Sequence, residues 1–336
     1  MRNRLTTVLA LAGLAVLGLA TPGLATPDRL PQPTGLDHVR AVAHWAPGAG
    51  GSFAESMARL DHGRMVVSVN RWGVQDPKTG AWGDNHGRLF TVRRDGTKAK
   101  LGPRLDLGGC AMLTGVTAWH HHAYQVIDNF GPDPSCKSYS PPSGVYRVTA
   151  KGIHLVMQLP EGSFPNGITT HLGKLYVTDS ANGVVWRGAI RHVSKPTKPW
   201  LTSDLLRPTK DVPLGADGIA FRHNVVFVTS YGQGLVLRAR MRADGSATKG
   251  WAWATSKKLV GADGVVLDAA GRLWVTSNAT SDRIIMIRHG GVVVVARTPT
   301  KALDYPTQPL VGRGGALYVL NGSYNNGTPS LVLLTR

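Results

Sequence analysis

The chain repeats one pattern of apolar and polar positions six times. Each copy has a polar residue, a short apolar run, a turn and a second apolar run, as in "GADGVVLDAAGRLWVTS", residues 261–277. The second run begins about ten or eleven residues after the polar residue. The six polar residues, which lie 44 to 59 residues apart, are Glu55, Thr114, Asn166, Asp217, Asp263 and Thr307. Paired β runs at this period are typical of the blades of a β-propeller.

The repeat therefore predicts an all-β fold: a six-bladed β-propeller with four-stranded antiparallel blades around a central channel. In the fifth copy we expect the inner strand at residues 265–267 and the second strand at residues 273–276. Because the innermost strands of a propeller line its channel, a polar residue just ahead of each one lies on the channel rim. The six together form a ring. Two β-sandwich domains are the alternative, but they predict no such fixed polar position.

The N-terminal segment has a different character. Residues 1–25 contain two arginines, an apolar stretch and a small-x-small ending, which predict a secretory signal peptide cleaved after Ala25. We therefore expect a secreted protein, with residues 26–45 as an extended lead-in and residues 46–336 as a single propeller domain. No other run reaches the roughly 18 apolar residues of a membrane span, so no span is expected.

The net charge of the chain indicates which classes of partner to expect. The 336 residues include 38 Lys and Arg against 20 Asp and Glu, a formal net charge of +18. Outside the cell, this charge favours an anionic cell-envelope surface as a partner. A specific nucleic-acid site is not expected, because no stretch alternates basic with aromatic residues.

The two cysteines, Cys110 and Cys136, are expected to form a disulfide in an exported protein. Such a bond would close a loop of about 27 residues and stabilise the fold by roughly 3 kcal/mol in the chain-entropy model. Two unpaired cysteines are the alternative.

The ring of polar residues predicts a metal site. Its carboxylates and amide, on Glu55, Asn166, Asp217 and Asp263, offer hard oxygen donors that suit a divalent cation such as Ca²⁺, Mg²⁺ or Mn²⁺, with Zn²⁺ as a further candidate. The alternative is that Asp or Asn before Gly only forms a tight turn. Four such residues in one register, one of them a Glu that does not favour turns, favour the site.

Three short phrases of the repeat, "AES" at Glu55, "PNG" at Asn166 and "ADG" at Asp263, make the chain similar to the gluconolactonase and regucalcin (senescence-marker protein) family. The similarity extends from about residue 52 to the C terminus. It implies a six-bladed propeller with a divalent cation held in the channel by Glu55 and Asp263, with Asn166 near the substrate. Of the divalent cations, we expect Ca²⁺ first. In the fourth blade the family has an Asn where this chain has Asp217, and a family Arg two residues before Asn166 is Phe164 here.

These features together predict an exported, divalent-metal-dependent hydrolase of a lactone or related ester, acting on a small-molecule substrate. In this hypothesis Asp263 is both a metal ligand and the general base. The residues expected to contact the substrate are Thr114, Phe164 and Tyr231. The alternative is a noncatalytic secreted propeller that binds an anionic envelope polymer or a protein partner.

One histidine run, "WHHHAY" at residues 119–124, falls on the turn between the first two strands of its blade. That turn lies at the opposite end of the channel from the rim. These histidines are therefore not expected to join the ring of oxygen donors.

Overall fold

The computed structural model describes residues 35–74, 78, 83–109, 111–129, 141–299 and 301–336. It consists of six four-stranded antiparallel sheets. The first strand of each sheet contacts the first strands of the two neighbouring sheets, which closes a ring. The predicted all-β, six-bladed propeller is confirmed.

Five blades use four consecutive strands, ordered from the channel outward. Blade 1 contains β2 (Ser52–Arg59), β3 (Met65–Arg71), β4 (Asn85–Val92) and β5 (Lys98–Gly108). Blade 2 contains β6 (Ala111–Trp119), β7 (His122–Asn129), β8 (Gly144–Val148) and β9 (Ile153–Gln158). Blade 3 contains β10 (Pro165–His171), β11 (Lys174–Asp179), β12 (Val184–Ala189) and β13 (Leu201–Thr202). Blade 4 contains β14 (Ala216–Arg222), β15 (Val225–Ser230), β16 (Leu235–Arg240) and β17 (Trp251–Thr255). Blade 5 contains β18 (Ala262–Leu267), β19 (Leu273–Ser277), β20 (Arg283–Ile287) and β21 (Val293–Val295).

Blade 6 joins the two ends of the propeller. Its inner three strands are β22 (Pro306–Val311), β23 (Leu317–Asn321) and β24 (Ser330–Thr335), and its outermost strand is β1 (His38–His44), which pairs antiparallel with β24. The expectation that residues 26–45 form only a lead-in is therefore corrected. A seven-residue part of that segment completes the last blade, because β24 would otherwise expose an unpaired sheet edge.

The hydrophobic core is divided among the six interfaces between adjacent blades. One cluster, for example, packs Val66 and Leu89 of blade 1 against Leu113 and Ile127 of blade 2, and equivalent clusters fill the other interfaces. Burying a side chain of this kind stabilises the fold by about 1.5–3 kcal/mol. The apolar runs of the repeat are therefore the surfaces that hold each blade to its neighbours.

Helix is scarce in the described part of the chain. It comprises four three-residue 3₁₀ turns, at Asp204–Leu206, Lys257–Leu259, His289–Gly291 and Arg313–Gly315. None of the described helices has the length and apolar character needed to cross a bilayer. The predicted signal peptide and both cysteines, Cys110 and Cys136, lie outside the described residues.

Candidate functional site

All six polar residues of the repeat occupy the same place, a β-bulge in the innermost strand of a blade. In every blade the pairing between the first two strands shifts register at the polar residue or between it and the following residues. We expected these residues just ahead of the inner strands; in blade 5, β18 begins at Ala262 and so includes Asp263. A bulge re-aims the local side chain and increases the strand twist, which accounts for the difference.

The glycines after four of these residues allow close contact between blades. A Cβ added to Gly167 would lie 2.3 Å from the carbonyl oxygen of Asp217, and one added to Gly218 would lie 2.5 Å from that of Asp263. Gly115 and Gly264 meet the next blade in the same way. None of the four has a positive φ angle. The "DG" and "NG" pairs are thus sites of close inter-blade approach and not left-handed turns.

Gly218→Ala is expected to destabilise the propeller by about 1–3 kcal/mol, because its methyl group would push blade 4 away from blade 5. Chemical denaturation monitored by tryptophan fluorescence measures the change. Gly152→Ala is the matched control, since a Cβ there meets no atom within 4 Å. Equal stability of the two variants would contradict this account of the glycine.

Hydroxyl groups on the second strands hold the bulges in place. The Thr229 hydroxyl accepts a hydrogen bond from the Gly218 amide at 2.7 Å and donates to the Asp263 carbonyl of the next blade at 2.8 Å. Thr178 makes the equivalent bonds to Gly167 and Asp217, and Thr276 donates to the Thr307 carbonyl at 2.7 Å. The bulges at Asp217 and Asp263 are therefore each fixed by hydroxyl groups from two blades, so both side chains have defined positions.

Three carboxyl groups and the amide of Asn166 meet in one cavity at the channel mouth. Asn166 Nδ2 donates to Asp217 Oδ2 at 3.2 Å, and Asp263 lines the same cavity. Asn278 Nδ2 donates to Asp263 Oδ2 at 2.8 Å. The Glu55 carboxylate, from blade 1, lines the same cavity and accepts a hydrogen bond from the Tyr324 hydroxyl. The structure thus brings together the four residues that the sequence proposed as metal ligands.

Three tyrosines surround this acidic cluster. Tyr231 donates to Asn278 Oδ1 at 2.8 Å, and the ring of Tyr305 packs on that of Tyr324 with centroids 4.8 Å apart. The cavity has a volume of about 60 Å³, which is room for a few water molecules. The described residues that line it are Glu55, Met112, Phe164, Asn166, Leu214, Asp217, Tyr231, Asp263, Tyr305 and Tyr324.

The electrostatics of the cavity are unfavourable to three negative charges. Burial raises the pKa of Glu55 to about 7, although the Tyr324 hydrogen bond opposes the shift. Burial, and then repulsion from the neighbouring carboxylates, raises the pKa of Asp217 and of Asp263 well above the usual range. No Lys, Arg or His is among the described residues that line the cavity. The raised pKa values mean that the cluster retains protons more readily than isolated carboxyl groups do unless a cation compensates its charge.

The remaining predicted residues divide into two groups. Phe164 and Tyr231 line the cavity. Thr114 does not: its hydroxyl is buried and donates to the Pro165 carbonyl of blade 3 at 2.9 Å. Thr307 likewise bonds the Ala54 carbonyl of blade 1 at 3.2 Å. The two threonines of the ring therefore bridge blades.

Sequence reasoning missed Asn278, Tyr305 and Tyr324. One usable signal existed for Asn278, because the residue directly after the second strand also approaches the ring in blades 3 and 4, as Ser180 and Tyr231. Tyr324 follows β23 in a segment without a counterpart in the repeat, and it contacts a residue 269 positions away. No local pattern indicates that contact.

The donor chemistry of the cavity fits a hard divalent cation, since it offers carboxylate and amide oxygens without competing basic groups. Each carboxyl group is hydrogen-bonded to an amide or a tyrosine: Asp217 to Asn166, Asp263 to Asn278 and Glu55 to Tyr324. Within residues 35–336, as far as they are described, no group of three or more His, Cys, Asp or Glu side chains is arranged to hold a metal ion.

Comparison with known proteins identifies the fold. No protein-family model and no curated protein matches the chain. A gluconolactonase from Xanthomonas campestris has a TM-score of 0.56 and 16% identity, over 85% of this chain and 86% of that one. A second protein described as a gluconolactonase has a TM-score of 0.51 and 15% identity, over 89% and 92%. A glucose dehydrogenase has a TM-score of 0.57 and 14% identity, over 89% and 99%. The gluconolactonase-type propeller fold is thus confirmed.

Proposed function

We propose that the protein is a divalent-metal-dependent hydrolase of a lactone or related ester, with its active site at the channel mouth. The observation that carries the proposal is the meeting of Glu55, Asp217 and Asp263 in one cavity without a basic side chain among its described lining residues. Uncompensated buried charges are costly, so such a cluster either binds protons or binds a cation. A cluster that served only stability would be better built from apolar side chains.

Glu55, Asn166, Asp217 and Asp263 would hold the cation. Ca²⁺ is our first choice because it accepts several oxygen ligands in flexible geometry, while Mg²⁺, Mn²⁺ and Zn²⁺ are the alternatives. When bound, the cation would polarise a carbonyl group and lower the pKa of a water molecule.

Asp263 is the proposed general base. Its Oδ2 is held by Asn278, which is held in turn by Tyr231, so the carboxyl group has a fixed orientation beside the cavity. The raised pKa of Asp263 makes it a stronger proton acceptor when it is ionised. The small cavity admits the carbonyl end of a substrate and a water molecule, and Phe164 and Leu214 would contact its apolar part.

The similarity to gluconolactonase structures supports a lactone as substrate, but the same fold serves glucose dehydrogenases. Fold alone does not determine chemistry, so the residues of the cavity have to decide. They favour hydrolysis, because the carboxylates provide both cation ligands and a base.

A noncatalytic propeller that binds an anionic envelope polymer or a protein partner is the second candidate. The net charge of +18 favours it. In this case the acidic cavity would hold a cation that stabilises the fold.

We also propose that the protein is secreted, on the basis of residues 1–25. N-terminal sequencing of the mature chain tests the cleavage after Ala25.

The deciding experiment measures metal content and hydrolysis in the same preparation. Mature protein is analysed by elemental mass spectrometry and then assayed on sugar lactones, aliphatic lactones and aryl esters, with chelator and after each cation is restored. We expect about one cation per chain and turnover that is lost with chelator and recovered with one cation. Bound metal without turnover on any substrate would select the second candidate. A metal-free, inactive protein would refute the metal site itself.

A further inference from the structure

A second cavity lies between blades 2 and 3, at the end of the blades opposite the acidic one. Its volume is about 590 Å³, within the range of small-molecule sites. Buried Tyr124 and Ile190 form part of its floor, together with Arg147. Exposed basic side chains surround its opening: His120, His122, His154, Arg191 and His192.

Arg147 is the central feature of this cavity. It lies on β8 and pairs across the sheet with Tyr124 on one side and His154 on the other. Blades 3 and 4 have arginines at the same register position, Arg187 and Arg238, each next to the aromatic residue of its second strand. Three successive blades therefore have an arginine at the same register position of their third strand.

The other two arginines have internal partners. Arg187 donates to the Gly245 carbonyl in blade 4. The Arg238 guanidinium lies over the rings of Phe227 and Trp251, 5.9 Å and 5.5 Å from their centroids. Arg147 Nε and Arg238 Nε are both buried without a hydrogen-bond partner in the described part of the chain, but Arg147 is the one of the three arginines that lines the second cavity. A buried guanidinium donor without a partner is costly unless a ligand satisfies it.

Arg191 supplies a second guanidinium at the same cavity. It lies 5.4 Å from the ring centroid of Trp119, which also lines the cavity, so its position is restrained. Among the described residues that line the cavity there is no Asp or Glu. Two arginines without a compensating carboxylate create a positive potential inside this cavity.

We propose that this cavity binds an oxyanion, the phosphate or carboxylate group of a small molecule or of one unit of an acidic polymer. The planar guanidinium of Arg147 would bind the anion from the floor of the cavity, and Arg191 would bind it from the opening. The site is separate from the acidic cavity and shares no lining residue with it. Its test does not depend on whether the protein is an enzyme.

Calorimetric titration of the mature protein at constant ionic strength tests the proposal. The probes are inorganic phosphate, glucose 6-phosphate, glucuronate and a polyuronate, with glucose as the neutral control. The variants are Arg147→Met, Arg191→Gln and Arg238→Met. The last is the matched control, because it removes the same charge at the same register position in blade 4.

We expect at least one anionic probe to bind and glucose not to bind. Arg147→Met should weaken binding at least about tenfold and Arg191→Gln severalfold, since each loses a charge-assisted hydrogen bond. Arg238→Met should bind as tightly as the wild type, and lactone hydrolysis should be unchanged in all three. Binding of phosphate or glucuronate identifies a free small molecule as the source of the anion, and binding of polyuronate alone identifies the polymer.

Two results would overturn the proposal. One is an equal loss of affinity in Arg147→Met and Arg238→Met, which would mean that only net charge matters. The other is the absence of binding by every anionic probe. If Arg147→Met does not fold, as judged by its thermal unfolding, the exposed Arg191→Gln variant decides by comparison with the exposed Arg242→Gln.

Discussion

Asp263→Asn is expected to lower lactone or ester hydrolysis by at least about 100-fold, the lower end of the contribution of a general base. The substitution keeps the size of the side chain and its place beside Asn278 and Asp217, but it removes the negative charge and the proton acceptor. The steady-state rate with saturating cation measures the loss. Bound metal, determined on the same sample, should also decrease.

Asp128→Asn is the matched control for this variant. Asp128 is a fully buried carboxyl group whose pKa is also raised by burial, and it does not line the acidic cavity. Its replacement should leave hydrolysis and metal content unchanged. If Asp263→Asn retained the rate of the wild type, Asp263 would be excluded as the base, even if the cation were still bound.

The protein without divalent cations is expected to lose stability as the pH rises from 5.5 to 8, with a fall in the melting temperature of at least about 5 °C. The carboxyl groups of the unfolded chain ionise near pH 4, whereas that of folded Glu55 ionises at about 7 and those of Asp217 and Asp263 well above their usual range. Between these values the folded state binds more protons than the unfolded state. The free energy of unfolding therefore decreases as the pH rises through the pKa values of the folded state. Below the pKa values of the unfolded chain, this contribution to stability is present in full.

Added Ca²⁺ should reverse this effect, because it binds the ionised form of the folded protein. Scanning fluorimetry at both pH values, with chelator and with Ca²⁺, Mg²⁺, Mn²⁺ or Zn²⁺, measures it. Asp217→Asn removes one of the titrating groups and should reduce both the pH dependence and the stabilisation by the cation. A melting temperature that rises with pH in the presence of chelator and is unchanged by every added cation would argue against the charged cluster as a metal site.

The architecture was predictable because each blade is a complete local unit. The alternation of apolar and polar residues in a segment such as residues 261–277 specifies a hairpin, and six copies leave few ways to bury all the apolar faces. The register of the six polar residues was predictable for the same reason. The bulges were not, because a bulge depends on hydrogen bonds such as the one from Thr229 to the neighbouring blade.

The lining of the site was less predictable than its position. Glu55, Asp217 and Asp263 belong to the repeat, so their convergence follows from the symmetry of the propeller. Tyr305 stands two residues before Thr307, as Phe164 stands two before Asn166, so the repeat places it beside the ring. Tyr324 has no repeated position, and it reaches the site by contacting Glu55 and Phe53 of blade 1. Thr114 has the same position in the repeat as the other ring residues, but it does not line the cavity. Its hydroxyl donates a hydrogen bond to a carbonyl group of the neighbouring blade.

The pairing of β1 with β24 has a consequence for the order in which the chain folds. His38 lies opposite Thr335, so the last blade contains the strand pair with the largest sequence separation in the ring. Contacts across such a separation carry a large loop-closure entropy and form slowly. During synthesis, β1 must remain unpaired until the C-terminal strand has been made. The first strand of the propeller to leave the ribosome is therefore among the last to reach its native partner.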